Sequence, residues 1–236
     1  MANILNSLSK VSRGDVVLSV RDIKKTFMEG GQPLHILRGG GFDLHRGEII
    51  ALVGQSGSGK STLLQCVGLL DRPTSGSILI GGVAAQKMDD EMRTNMRRDK
   101  IGFVYQRHNL LGDFTALENV ALPMLTRGVP EYEANARAMK LLRAANVAHR
   151  ASHFPGEMSG GEQQRTAVAR ALANGPEILL ADEPTGSLDP AHATAVFDIL
   201  LDLVRRNKMA MLFVTHDMNL AARADRTITI KDGIVK

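Results

Sequence analysis

The sequence predicts an α/β fold: a mostly parallel sheet core, an N-terminal antiparallel β portion and an inserted helical subdomain. Three observations predict it. EIIALVG (48–54), EILLADEP (177–184) and AMLFVTHD (210–217) each carry an unbroken apolar run rather than an alternating one, the pattern of strands covered on both faces. Helical patterns follow strand patterns at both ends of the chain, as parallel neighbours require. Between them, residues 113–150 lack strand alternation and read as helices.

Residues 1–14 are small and polar and read as a loose arm, so the domain proper is expected over 15–236. VVLSV (16–20) alternates and reads as a strand, and FDLH (42–45) as a second. EIIALVG ends in glycine, and a helix is expected from Lys60 to about Leu70. SILI (77–80) and IGFVY (101–105) add strands. In the helical block Pro130 suits the first turn of a helix, where its missing N–H costs nothing. A further helix starts near Ser159 and runs through AVARALAN (167–174). Asp189 is placed to cap the helix of 190–207, with Pro190 in its first turn. TITIKDGIV (227–235) reads as a hairpin with an Asp-Gly turn. The core is expected over about 15–106 and 166–236, and the helical subdomain over about 107–165.

Composition narrows the class. At 44% hydrophobic and 23% charged, the 236 residues can bury a core of ordinary size. Twenty-nine basic against 25 acidic residues leave +4, too mild to point to nucleic acid, and none is expected as a partner. The basic pairs Arg97-Arg98 and Arg205-Arg206 read as solvated helix faces. Cys66 is the single cysteine, so no internal disulfide can form, and its apolar surroundings suit a buried small side chain. No stretch is long and apolar enough for a signal peptide or a membrane span. The chain is therefore expected in the cytoplasm, with any membrane role coming through a partner.

The chemistry is concentrated in two places. Gly54, Gln55, Ser56, Gly57, Ser58, Gly59, Lys60 and Ser61 fit the phosphate-binding P-loop, between a buried strand and a helix. Its glycines let backbone N–H groups surround phosphate oxygens, and the helix adds its positive end. Lys60 supplies a point charge to the outer phosphates, and the Ser61 hydroxyl is placed to ligate Mg²⁺. Asp182 ends the strand of ILLADEP and is the metal-side carboxylate. Glu183 follows it, and side-chain alternation along a strand should aim it elsewhere, toward an attacking water as general base. No Asn-Lys-x-Asp guanine-reading motif is present; NKMA (207–210) lacks the aspartate.

GQSGSGKS, Gln106 in GFVYQ, MSGGEQQR (158–165), ILLADEP, GSLD (186–189) and FVTHD (213–217), in this order, resemble the ATPase subunits of ABC transporters over nearly the whole chain. The resemblance implies ATP and Mg²⁺ as ligands and a head-to-tail homodimer. In it the Ser159-Gly160-Gly161 turn of one protomer closes over the γ-phosphate held by the other's P-loop. It implies that Gln106 reaches Mg²⁺ and water, that His216 reaches the γ-phosphate, and that Asp189 lies at the dimer interface. It adds Thr62 and Glu162 to the nucleotide-binding residues and Phe27 as an adenine-stacking ring; a core role for Phe27 stays open. Met158 stands where the family usually has leucine, a volume-conserving change.

KIGFVYQRHNLLGDFTALENVALPML (100–125) resembles the LolD/MacB/FtsE branch, and within it the lipoprotein-releasing ATPases. That implies an ATPase at the cytoplasmic face of a bacterial inner membrane, paired with LolC/LolE-like permease subunits, driving lipoproteins toward a periplasmic carrier. A MacB-type exporter, an FtsE-type division complex, a soluble ATPase acting on nucleic acid or ribosomes, and a regulatory module without turnover are the alternatives. Leu110, Leu111 and Phe114 are candidates for contact with the membrane partner or for packing inside the helical subdomain.

Overall fold

The computed structural model describes residues 15–236; the N-terminal arm of 1–14 lies outside the described residues. The chain opens with β1 (Val16–Glu29) and β2 (Gln32–Gly40), an antiparallel hairpin turning at Gly30 and Gly31, both at positive φ. Strand β1 continues well past the 16–20 segment expected, through an irregularity at Asp22, whose φ is 44°. Next come β3 (Phe42–His45), β4 (Ile49–Val53), α1 (Lys60–Val67), β5 (Ser75–Ile80) and β6 (Val83–Ala84). Helix α2 (Asp90–Lys100) leads into β7 (Ile101–Val104). Then follow α3 (Ala116–Leu125), α4 (Glu131–Ala144), α5 (Gly160–Ala171), β8 (Ile178–Asp182), α6 (Pro190–Arg206) and β9 (Ala210–Val214). Helix α7 (Met218–Ala221), β10 (Arg226–Lys231) and β11 (Ile234–Val235) close the chain.

Strands β10, β4, β9, β8 and β7 are consecutive parallel neighbours, and β1 pairs antiparallel with β2, β3 and β5. Both expected portions of the sheet are therefore present. Alternation divides β4 between two cores: Ile50 and Leu52 join the cluster under α1, Ile49 and Ala51 the cluster under α5 and α6. The second cluster contains Phe197 of α6 against Phe213 of β9, ring centroids 5.1 Å apart. Both faces are thus apolar, which explains the unbroken hydrophobic run. Helices α3, α4 and α5 share a third cluster built from small residues, among them Ala121, Ala134, Ala138 and Ala169.

Several local expectations are refined. Helix α1 stops at Val67, because Leu69 takes a left-handed φ of 60°. Pro130 caps α4 instead of sitting inside it, with Glu131 the first helical residue. Helix α2 has no apolar stripe; its one buried residue, Arg93, donates to the carbonyls of Leu69 and Asp71 at 2.9 and 2.8 Å. The Asp232-Gly233 turn forms with both residues at positive φ. Cys66 is fully buried, and desolvation pushes its thiol up to about 11. The glycine run of 39–41 reflects close backbone approach: a Cβ at Gly40 would lie 2.0 Å from the Val235 carbonyl oxygen, and one at Gly41 2.0 Å from that of Val20. Among the described residues no helix is long and apolar enough to cross a membrane.

Candidate functional site

A cleft of about 480 Å³ opens where β4, β8 and β9 end and α1 begins. Gly54, Ser56, Gly57, Gly59, Lys60, Ser61 and Thr62 line one side, Glu183, Val214 and His216 another, and Ile36 of β2 a third. The loop wraps because Gly59 caps α1 at a φ of 100°, a conformation costly for any side chain. The first N–H groups of α1 consequently face the cleft without helical acceptors, a natural anion seat. Ser58 Oγ is buried in the loop with no hydrogen-bond partner among the described residues. Lys60 Nζ donates to the carbonyls of Gly54 and Gln55 at 3.0 and 2.8 Å. Its flexible stem allows the same ammonium to move onto phosphate oxygens. An orphaned hydroxyl, free amides and a mobile cation together fit a polyphosphate.

The carboxylates occupy separate environments. Asp182 sits on the last residue of β8, where burial raises its pKa and a hydrogen bond from the Ser61 hydroxyl partly offsets this. Ser61 and Asp182 are two hard oxygen donors side by side, the small protein set Mg²⁺ takes when phosphates complete its shell. Glu183 does diverge from Asp182, for a different reason from the one expected. It has left the strand, and its φ of 46° swings the side chain out of the alternating pattern. Its Oε2 lies 2.9 Å from His216 Nδ1. A Cβ added at Gly186 would lie 2.9 Å from Glu183 Oε2 and 3.1 Å from Gln106 Nε2, so these two side chains meet at one point. Strand ends, brought level by parallel register, thus bring Asp182, Glu183 and His216 to the phosphate loop, with Gln106 beside Glu183 at Gly186.

Three expected residues or groups lie elsewhere. Phe27, opposite Leu34 on the β1–β2 hairpin, does not line the cleft; it is 39% exposed, with Lys25 Nζ 4.6 Å from its ring centre. The same hairpin delivers Ile36 to the cleft. The Ser159-Gly160-Gly161 turn is also outside the cleft. Ser159 caps α5 through a capping box, its hydroxyl oxygen accepting from the Glu162 amide at 3.3 Å while Glu162 Oε2 accepts from the Ser159 amide at 2.8 Å. Asp189 caps α6, accepting from the His192 amide and pairing with the His192 ring at 2.6 Å. These contacts, the amide first, hold its pKa below the ordinary value. The two turns adjoin: a Cβ at Gly160 would lie 3.4 Å from Leu188, and one at Gly161 3.7 Å from His192. One chain therefore presents two surfaces, a phosphate loop with its carboxylates and, apart from it, a glycine turn beside Asp189.

Sequence reasoning missed two residues of the site. Ile36 lies on β2, whose one sequence signal is the Gly30-Gly31 turn that opens it. Gln164 is almost fully buried and donates to the carbonyls of Tyr105 and Pro184 at 2.9 and 2.7 Å, bracing the residues beside Gln106 and Glu183. A polar residue on the inward face of α5 was the available clue.

Comparison with known proteins places the chain among similar sequences and structures. A family model described as ABC transporter matches residues 37–186. The lipoprotein-releasing system ATP-binding protein LolD of Paramagnetospirillum magneticum is 49% identical over 218 residues, covering 92% of this chain and 96% of its own length. The protein of the same name from Gluconobacter oxydans is 50% identical over 226 residues, covering 96% and 98%. A solved dimeric ATP-binding cassette, MJ0796, in a post-hydrolysis state bound to ADP and Pi, superposes with a TM-score of 0.86 at 39% identity, over 93% of this chain and 96% of that one.

Proposed function

The chain belongs to the ABC transporter family, and from that premise we propose that it is the ATP-hydrolysing subunit of a lipoprotein-releasing complex at the cytoplasmic face of a bacterial inner membrane. The observation that carries the reading is the convergence of Lys60, Ser61, Glu183 and His216 on one cleft, with Asp182 hydrogen-bonded to Ser61 and the glycine turn on a separate surface. A nucleotide in the cleft has one side unclosed, and a second protomer packed head to tail supplies Ser159, Gly160 and Gly161 to it. Asp189, beside that turn, lies at the junction. Phe27 flanks the adenine end, and Thr62 extends the phosphate contacts. LolC/LolE-like permease subunits receive the movement, with the exposed Leu111 and Phe114 and the half-buried Leu110 in the contact. In this reading residues 107–165 form the helical subdomain that moves against the core.

The hydrolytic step follows from the geometry. Glu183, held by His216, orients a water in line with the γ-phosphorus and accepts its proton as the new P–O bond forms. The bond from the γ-phosphorus to the bridging oxygen breaks, and the departing charge stays on ADP. Lys60 and the amides of the loop stabilise charge on the transferred group. Ser61 and Asp182, with Gln106, would hold Mg²⁺, which when bound neutralises the outer phosphates.

Two measurements test the reading. With Gly57→Cys and Ser159→Cys in one chain carrying Glu183→Gln, ATP should promote a disulfide between protomers; a crosslink confined to single chains would sink the sandwich. Pull-down of the Glu183→Gln chain from solubilised membranes should bring down integral permease subunits, and their absence would sink the transport role.

A further inference from the structure

Helix α5 begins with a carboxylate where an anion is to be received. Glu162 is the third residue of that helix, and its side chain is only 11% exposed. One of its oxygens accepts from both the amide and the hydroxyl of Ser159, at 2.8 and 2.9 Å. A buried carboxylate so close to the turn would repel a phosphate unless its charge were matched. The match comes from outside the helix. Arg150 Nε donates to the other oxygen of Glu162 at 2.8 Å, and His149 Nε2 lies 3.1 Å from the same atom. Arg150 is itself held: its guanidinium is 3.1 Å from His153 Nε2, and residues 151 and 153 accept backbone hydrogen bonds from Leu117 and Ala116 at the start of α3, both at 2.9 Å. The pairing keeps Glu162 ionised, its pKa lowered to about 2, with Arg150 the largest cause.

We propose that Arg150 is a positioning residue for ATP hydrolysis: its guanidinium holds and neutralises Glu162, which fixes the Ser159-Gly160-Gly161 turn that closes on the second protomer's nucleotide. This rests on the head-to-tail reading. The side chain of Arg150 contacts Glu162 and His153, and in this proposal it acts through Glu162. Neutralising the carboxylate matters more than holding it in place, since the capping box already holds it. A glutamine at 162 preserves the box without the charge, so the two contributions can be separated.

The experiment measures steady-state phosphate release and ATP binding by the full chain with its membrane subunits. In Arg150→Gln, kcat should fall about tenfold, the scale of one lost charge-assisted hydrogen bond. The Kd for ATP at the P-loop should stay within about twofold, because that loop is untouched. Arg150→Lys should recover most of the rate. The double variant Arg150→Gln/Glu162→Gln should exceed Arg150→Gln several-fold, since the unmatched charge is then gone. Unchanged kcat in Arg150→Gln, a double variant no faster than the single, or a loss of ATP affinity equal to the loss of rate would each overturn the proposal. Where Arg150→Gln fails to fold, the lysine and double variants still decide. The cysteine crosslink separates the two ideas: between protomers with kcat unaffected, only this inference fails; within single chains, the sandwich reading fails with it.

Discussion

Replacing Glu183 by glycine and by alanine should separate the backbone strain at this position from the chemistry of its carboxylate. At a φ of 46°, a residue with a Cβ carries roughly 1–2 kcal/mol of strain. Glycine relieves it, while its greater freedom in the unfolded chain costs roughly 0.5–1 kcal/mol. Both variants lose the contact with His216, whose side chain is 71% exposed, so that loss is small and cancels between them. The difference leaves Glu183→Gly more stable than Glu183→Ala by up to about 1.5 kcal/mol, the reverse of the usual order. Both lose the carboxylate proposed to orient water, so phosphate release should drop about 100- to 10,000-fold, or about 3–5 kcal/mol in the barrier. Urea unfolding without nucleotide reads the first quantity, and a phosphate-release assay the second. If alanine proved the more stable variant, the left-handed turn that aims Glu183 would be refuted. If either variant kept a tenth of the activity, the role given to its carboxylate would be refuted.

Lys60→Ala should abolish turnover yet shift stability by less than about 1 kcal/mol, since among the described residues the ammonium donates to two loop carbonyls; a large drop in the urea midpoint would contradict this. Gln164→Ala should cost about 2 kcal/mol by freeing two acceptors, and should lower kcat more than it alters ATP affinity; equal effects on both would place the residue in binding alone. The paired Glu162 contributes stability that is present above its ordinary value of 4.5 and fades as pH falls toward about 2. The unfolding free energies of the unaltered chain and Glu162→Gln should therefore converge in acid, and a constant gap would show the pair to be inert. Asp182 has the opposite sign: its raised pKa costs stability as pH rises through and above the ordinary 3.8, so Asp182→Asn should stabilise the nucleotide-free chain at neutral pH but not in acid. No gain at neutral pH would show that its burial carries no penalty.

The legibility of the fold varied with how local its causes were. Three buried strands stood out because both sheet faces are covered, which leaves a continuous apolar run. Helix α2 did not, because hydrogen bonds from Arg93 to the segment after α1 hold it in place of an apolar stripe. Strand β2 escaped notice although Gly30-Gly31 is a recognisable hairpin turn; Ile36 was lost with it. The Ser-x-x-Glu pattern at 159–162 announced a capping box, but nothing local announced that Arg150 would match the glutamate's charge.

By itself the sequence marked the buried strands β4, β8 and β9 and the long helix α6, the strand–glycine-loop–helix pattern that ends at Lys60 and Ser61, and a second glycine turn at the start of α5. These depend on periodicity and turn chemistry, which act over a few residues. Only the tertiary structure decided which motifs share a place. Glu183 meets His216 across 33 positions, Gln164 spans the ends of β7 and β8, and the turn at Ser159 stays away from the loop at Gly59. Such meetings depend on strand register and on contacts between distant segments, which no short window of sequence contains.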